Sequence, residues 1–245
     1  MIALRQYRDL TSMQLRSMRE EIWFIALIQV VLSLGLVVGF GYLIPDISDA
    51  TATFMITGTA TQAIVTVGLV MLPQMLAQSK EEGRMEYFLT MPINREAYLA
   101  SLVTVVGTIA MPGVAFCVLF GAWHYGVELH FDPRFVIVLV LGVVSLAGIG
   151  VAMAVYSPHQ QVTNALTQLI IFFVLFFSPV LMPAEQLPWL LQQTAHLAPP
   201  TYTADAVRAT LTELPGTHLG RSLLMMTGFA AASLGLSAAA IRRRG

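Results

Sequence analysis

The chain has 245 residues, of which 56% are hydrophobic and only 11% charged, with a formal net charge of −1. A soluble domain is about 45–50% apolar and about 25% charged, so this composition excludes a soluble enzyme and a disordered tail. One cysteine, Cys117, excludes an internal disulfide or a cysteine metal cluster, and the near-zero balance gives no basic field for nucleic acid.

The distribution of charge is more telling than its amount. No Asp, Glu, Lys or Arg occurs between Glu21 and Asp46, Asp49 and Lys80, Glu96 and Glu128, Arg134 and Glu185, or Arg221 and Arg242. These gaps hold 24, 30, 31, 50 and 20 residues. A membrane-spanning helix needs about 20 apolar residues. Four gaps fit one span each and the longest fits two, which predicts an all-α, six-span membrane protein forming a single domain over 1–245.

In chain order, residues 2–20 read as a helix lying on the membrane surface. At about 100° per residue, Leu4, Tyr7, Leu10, Leu15 and Met18 share one arc, and Arg5, Arg8, Arg16 and Arg19 an adjacent one. An apolar stripe beside an arginine stripe suits the headgroup boundary of a leaflet facing the cytoplasm. Spans are expected near 22–44, 54–77, 99–123, 135–156, 163–182 and 222–241. The first is too long for the roughly 7–15-residue core of a cleaved signal peptide. The second is the weakest, because it carries Thr57, Thr59, Thr61, Gln62 and Thr66. Cys117 falls inside the third and reads as a small apolar packing residue.

Two connections have patterns of their own. After the second span, Met85, Phe88, Leu89 and Pro92 fall at i, i+3, i+4 and i+7, with Glu81, Glu82, Arg84 and Glu86 around them. That is a short amphipathic face, ended by proline. It reads either as a helix that inserts into a groove of a cytoplasmic partner or as a polar extension of the second span. After the fifth span, Ser178 to Arg208 holds five prolines with Trp189 and Tyr202. It is too rich in proline and amides for a plain span. It reads either as a broken helical segment entering the outer leaflet, allowed only where protein satisfies its backbone, or as an ordinary outer loop. The connection between spans three and four brings His124, Glu128, His130 and Asp132 close in sequence. These side-chain types suit zinc, but the run lacks a closed ligand set.

Lys and Arg counts set the orientation. Ten lie on the side of the N-terminus, the second-to-third connection and the C-terminus; Arg134, Arg208 and Arg221 lie on the other. Both termini are therefore expected in the cytoplasm. No span holds an Asp, Glu, Lys or Arg, and no Gly-x-x-x-x-Gly-Lys-Ser/Thr loop is present. A proton-driven carrier needs a titrating group on its path, and self-sufficient ATP use needs the phosphate loop. Backbone carbonyls could still bind sodium for coupling; otherwise energy for active transport would have to come from another chain. Ser145 lacks the flanking glycines of an intramembrane protease nucleophile, and His159 lies in a connection rather than a span.

The run Glu81-Glu82-Gly83-Arg84-Met85-Glu86-Tyr87-Phe88-Leu89-Thr90-Met91-Pro92 resembles the cytoplasmic coupling segment of type-2 ABC exporter permeases. Ser178, Pro183, Leu187-Pro188-Trp189-Leu190, Pro200-Thr201-Tyr202 and Arg208 resemble that family's outer re-entrant segment between spans five and six. Arg84 stands where a small hydroxyl residue is usual, and Pro179 where glycine commonly follows Ser178.

The resemblance implies an N-terminal interfacial helix, a coupling helix and a re-entrant segment over 183–210. It implies a permease that is not itself an enzyme and binds no cofactor, with ATP and magnesium held by separate cytoplasmic ABC ATPase subunits. A second permease copy or homologue would complete the path, in an inner membrane, with membrane lipid as the surrounding partner and a drug, lipid or other amphipathic compound exported. Glu81, Glu82, Gly83, Arg84, Glu86, Phe88 and Pro92 would contact the ATPase. Ser178, Pro183, Pro188, Trp189, Pro200, Tyr202 and Arg208 would form the outer gate. Gln29, Gln62 and Gln168 are candidates to line the path, or equally to hydrogen-bond between helices. The competing class is an ion-coupled transporter or channel, which would show an internal repeat or a pair of broken spans; no repeat is visible and only one segment is broken.

Overall fold

The computed structural model describes residues 2–43, 47–84, 95–177, 180–181, 188–195, 198–212 and 217–242. Among these residues every regular element is a helix. We number them α1 (Ile2–Ser17), α2 (Arg19–Leu43), α3 (Asp49–Thr66), α4 (Leu72–Glu81), α5 (Arg95–Tyr125), α6 (Phe135–Tyr156), α7 (Gln160–Phe177), α8 (Trp189–Ala195), α9 (Pro199–Leu211) and α10 (Leu219–Arg242). Five helical stretches are long and apolar enough to cross a membrane: Ile22–Gly39, Asp49–Glu81, Ala97–Tyr125, Phe135–Tyr156 and Leu219–Leu236. They account for the first, second, third, fourth and sixth expected spans. α7 occupies the first part of the fifth; residues 178–179 and 182 fall outside the described set.

The second span differs most from its sequence reading. It is the centre of the molecule, one helical path of 33 residues from Asp49 to Glu81, buried without a break from Met55 to Val65 and again over Val67–Val70. α2, α5, α6, α9 and α7 all touch it. Three of the four threonines that make it look weak are neutralised locally, while Thr59 Oγ1 is buried with no hydrogen-bond partner among the described residues. Thr57 donates to Thr53 O, Thr61 to Thr57 O and Thr66 to Gln62 O, at 2.8–2.9 Å. A hydroxyl turned back on its own helix leaves no unpaired donor in the apolar interior. The helix begins with Ser48, whose side chain caps the Thr51 N–H at 3.3 Å. Midway, a π turn over Val67–Met71 separates α3 from α4. Pro73 explains it. Proline has no N–H for the carbonyl four residues back and its ring crowds that carbonyl, and a wider turn relieves both.

Helix association in lipid gains little from the hydrophobic effect and depends on close packing of small residues. The π turn is one such place: a Cβ on Gly150 of α6 would lie 2.6 Å from Gly68 O and 3.0 Å from Pro73 Cδ. The crossing of α6 and α10 is another, where Gly148 rests against the backbone of Ser233, and Ser233 donates to Val144 O at 3.1 Å. A third is the crossing of α2 and α5, where Gly113 meets Gln29.

α1 packs mainly on α5, with Leu10 buried among Tyr98, Leu102 and Val106 and with Tyr7 hydrogen-bonded to Thr104 at 2.8 Å. Leu4 is exposed, so the expected apolar arc is only partly covered by protein. Arg5, Arg8, Arg16 and Arg19 are exposed.

Gly148→Leu is expected to force α6 and α10 apart and cost about 1–3 kcal/mol or more, seen as earlier thermal unfolding in detergent. Gly228→Leu, on the same α10 but with nothing near its Cβ position, is expected to leave the transition where it is.

Candidate functional site

At one end of the central helix, α4 stops in a way that sorts its charges. Glu82 N bonds to Gln78 O at 3.0 Å and Gly83 N to Lys80 O at 3.1 Å. Gly83 then takes φ +70, the left-handed conformation that glycine adopts without steric cost at a helix C-terminus. Gly83 is thus first of all the helix stop.

Lys80 and Glu81 turn inward, onto the connection between α6 and α7. Lys80 Nζ donates to Ser157 O at 2.6 Å and reaches Val155 O at 3.4 Å. Those are carbonyls at the end of α6, where the helix dipole is negative. The Glu81 carboxylate accepts from Gln160 N at 2.6 Å, the first amide of α7, where the dipole is positive. Two consecutive side chains of opposite sign therefore grip both ends of one turn. Glu82 and Arg84 stay outside, paired with each other and exposed, with Gln78 donating to Glu82 at 2.8 Å. Glu86, Phe88 and Pro92 lie outside the described residues.

At the opposite end, α9 is a 13-residue helix of about 20 Å, too short to span. It is nonetheless almost wholly buried, against α10, α6 and α3. Pro199 and Pro200 open it, where their missing N–H groups are not needed. Thr201 donates to Ala195 O at 2.8 Å and so ties α9 to the end of α8. The loop after α5 docks on the far end. Gly126, at φ +67, ends α5, and His130 N and Asp132 N bond to Leu211 O and Thr210 O at 3.0 and 3.1 Å. Buried helix ends need such partners. Among the described residues no group of three or more His, Cys, Asp or Glu is placed to hold a metal ion.

Arg208 is the anchor of this end. Its side chain is 4% exposed. Nη2 donates to Val180 O at 2.5 Å, Nη1 lies 3.4 Å from the Asp205 carboxylate, and the guanidinium sits 3.6 Å over the Phe54 ring of α3. Burial lowers its pKa to about 10, with Asp205 pulling the other way, so it keeps its proton at neutral pH. The residues around it are fitted to that role: a Cβ on Gly58 would collide with Val180 O. Arg208 thereby joins α9, α3 and the stretch that follows α7.

Of the other expected gate residues, Tyr202 is buried with its ring 6.0 Å from Phe229 of α10, and Pro200 is buried. Pro188 and Trp189 are exposed. Ser178 and Pro183 lie outside the described residues. The three amides have different settings. Gln29 is buried where α2 meets Gly113 of α5. Gln62 is buried in the central helix, and its Oε1 has no hydrogen-bond partner. Gln168 is exposed in the middle of α7. Gln74 of α4 donates to Thr167 of α7 at 3.1 Å. Sequence reasoning did not single out Phe54, Gly58, Val180, Ser157 or Gln160. Their role is backbone or ring contact across 28 or more residues, which leaves no local pattern to read.

The described residues thus form a multi-helix body with a buried, non-spanning helix at one end and a charge-bearing helix stop at the other. The family model described as ABC-2 type transporter matches residues 5–212, and the chain belongs to that family. A search of curated proteins returns no match. The family places the chain as the transmembrane subunit of an ABC transporter, a permease component that is generally not catalytic and that normally works with ABC ATPase subunits.

Two outcomes test the geometry. Glu81→Ala is expected to speed hydrogen exchange at the Gln160 amide severalfold, the scale of an exposed bond of about 1 kcal/mol; Glu82→Ala is expected to leave it unchanged. Arg208→Ala is expected to cost about 1–3 kcal/mol by leaving the buried Val180 O without its donor, and Arg208→Lys to restore little, since an ammonium lacks the planar fork and ring stacking. Thermal unfolding in detergent reads both.

Proposed function

We propose that two copies of this six-span permease, or one copy and a homologue, enclose a path at their interface. Two cytoplasmic ATPase subunits drive the path outward. The segment from Lys80 to Pro92 docks in the ATPase surface, with Glu82, Arg84 and Glu86 facing the partner. The observation that carries the reading is the grip of Lys80 and Glu81 on the α6–α7 turn, taken with the family. A displacement of the α4 end reaches α6 and α7 directly through three charge-assisted contacts at their helix ends rather than through a loose loop.

The exposed face of α7 supports a path there. Gln161, Ala165, Gln168 and Phe172 recur at helical spacing and are all exposed. A bare amide at mid-span is costly against hydrocarbon, so this face belongs against water or a second copy. Arg208 braces the outer segment, and the region from Pro183 to Tyr202 closes the path on that side. Both termini lie in the cytoplasm, beneath an inner membrane. Cargo is a drug, lipid or other amphipathic compound, in keeping with spans that present amides and hydroxyls but no charge.

Extraction in mild detergent from the native host is expected to co-purify an ATPase with vanadate-sensitive hydrolysis. Recovery of the permease without one, under conditions that keep the lipid, would favour an ion-coupled carrier or channel. In the complex, replacing Glu82 and Glu86 together with Lys is expected to leave insertion normal while hydrolysis no longer drives transport. Unchanged transport at normal expression would remove the coupling role from these carboxylates.

A further inference from the structure

Between α5 and α6 lies a cavity of about 210 Å3 that none of the preceding roles uses. Thr104, Gly107, Thr108 and Met111 of α5 line one wall, and Val140 and Val143 of α6 the other. Its threonines have no free hydroxyl proton to offer a polar guest. Thr108 donates to Thr104 O and Thr104 to Ala100 O, both at 2.8 Å, so the walls are hydrocarbon. The cavity opens on the flank of the molecule, where Thr108, Met111 and Val140 are exposed.

Its length and depth are specific. The α5 lining runs from Val103 to Val114, and ten residues from Thr104 rise about 15 Å. That is half of the roughly 30 Å hydrocarbon core. The span Ala97–Tyr125 has 29 residues, about 43 Å, some 13 Å more than the core. Centred in the bilayer, it places Thr104 just inside one edge of the hydrocarbon and Val114 near the midplane. The groove thus covers one leaflet. A helix is about 10 Å across and would bridge such a slot rather than fill it.

The rim at the headgroup end is α1. Thr104 gives its proton to Ala100 O, so Tyr7 is the donor in the 2.8 Å bond between their hydroxyls. Arg5 and Arg8, two residues before and one after Tyr7, are exposed, and Arg8 Nε lies 3.6 Å from the exposed Asp9 carboxylate, a surface pairing that a phosphate could displace. A guanidinium fork matches a phosphate in a bidentate way.

We propose that this groove holds one acyl chain of an anionic phospholipid from the leaflet on the α1 side, with its phosphate received by Arg5 and Arg8. The lipid fastens α1 to the α5–α6 pair and is a fixed part of the protein rather than cargo. This inference does not depend on an ATPase partner, and the chain by itself suffices to test it.

The full-length chain is reconstituted in equimolar phosphatidylcholine and phosphatidylglycerol vesicles, re-extracted, and weighed intact by native mass spectrometry. The wild type is expected to retain one phosphatidylglycerol per chain. Gly107→Leu places a side chain in the groove; a Cβ there meets Val143 at 3.7 Å, an ordinary contact. Displacing several methylenes is expected to lower retention by roughly tenfold or more. Replacing Arg5 and Arg8 with Gln is expected to remove the preference for phosphatidylglycerol. Equal retention in Gly107→Leu, or equal capture of both lipids by the wild type, overturns the proposal. A photo-reactive benzoylphenylalanine at Met111, which leaves Gly107 in place, checks the same point independently. An adduct of one phospholipid is expected, whereas a cross-linked pair of chains would show that a second copy covers the groove.

Discussion

A bilayer supplies no water to pair with a peptide group, and that constraint orders this molecule. Each span must satisfy its own backbone as a helix. Once formed, the helices are no more apolar than the lipid around them, so close approach is what holds them together. The helix from Asp49 to Glu81 shows the consequence. It can sit in the centre because the hydroxyls of Thr57, Thr61 and Thr66 bond to its own carbonyls and because glycines let neighbours touch its backbone, Gly58 under Val180 O and Gly68 against Leu146 of α6. The π turn at Val67–Met71 belongs to the same economy: it absorbs Pro73 where Gly150 of α6 closes in.

Charge is spent only at the two ends, and each end uses it differently. At α4, Lys80 and Glu81 are matched to the carbonyl end of one helix and the amide end of the next, so two side chains set the geometry of the α6–α7 turn. Their neighbours Glu82 and Arg84 are left facing outward. The helix stop thus divides its charges between the body of the protein and its surface. At the other end, one buried guanidinium stacks on Phe54 and holds Val180 O, which lets the short helix α9 stay in the interior without spanning.

Much of this was legible in the residues. The charge-free gaps locate the spans because the cost of a bare charge in hydrocarbon leaves a mark in composition; Phe135–Tyr156 agrees at both ends. The order of the glutamate-rich and proline-rich stretches already resembles the ABC-2 family to which the chain belongs. The rest was not local. The polar residues make the second span look weakest because Thr57 and Thr61 are read as if they faced lipid, whereas burial and back-bonding make that helix the core. Glu81 and Glu82 are identical neighbours in sequence, yet one caps α7 and the other faces outward, a difference set by where the α6–α7 turn lies.

The sequence by itself determined the class of solvent and the placement of the apolar segments that become long helices, because these follow from transfer free energies summed along the chain. Only the tertiary structure decided which helix is central, that Arg208 bridges three separate segments, and that α5 and α6 leave a slot one leaflet deep beside Tyr7. Those depend on backbone carbonyls, ring faces and missing Cβ atoms brought together from distant positions, and such contacts carry no periodicity that a single strand of sequence can display.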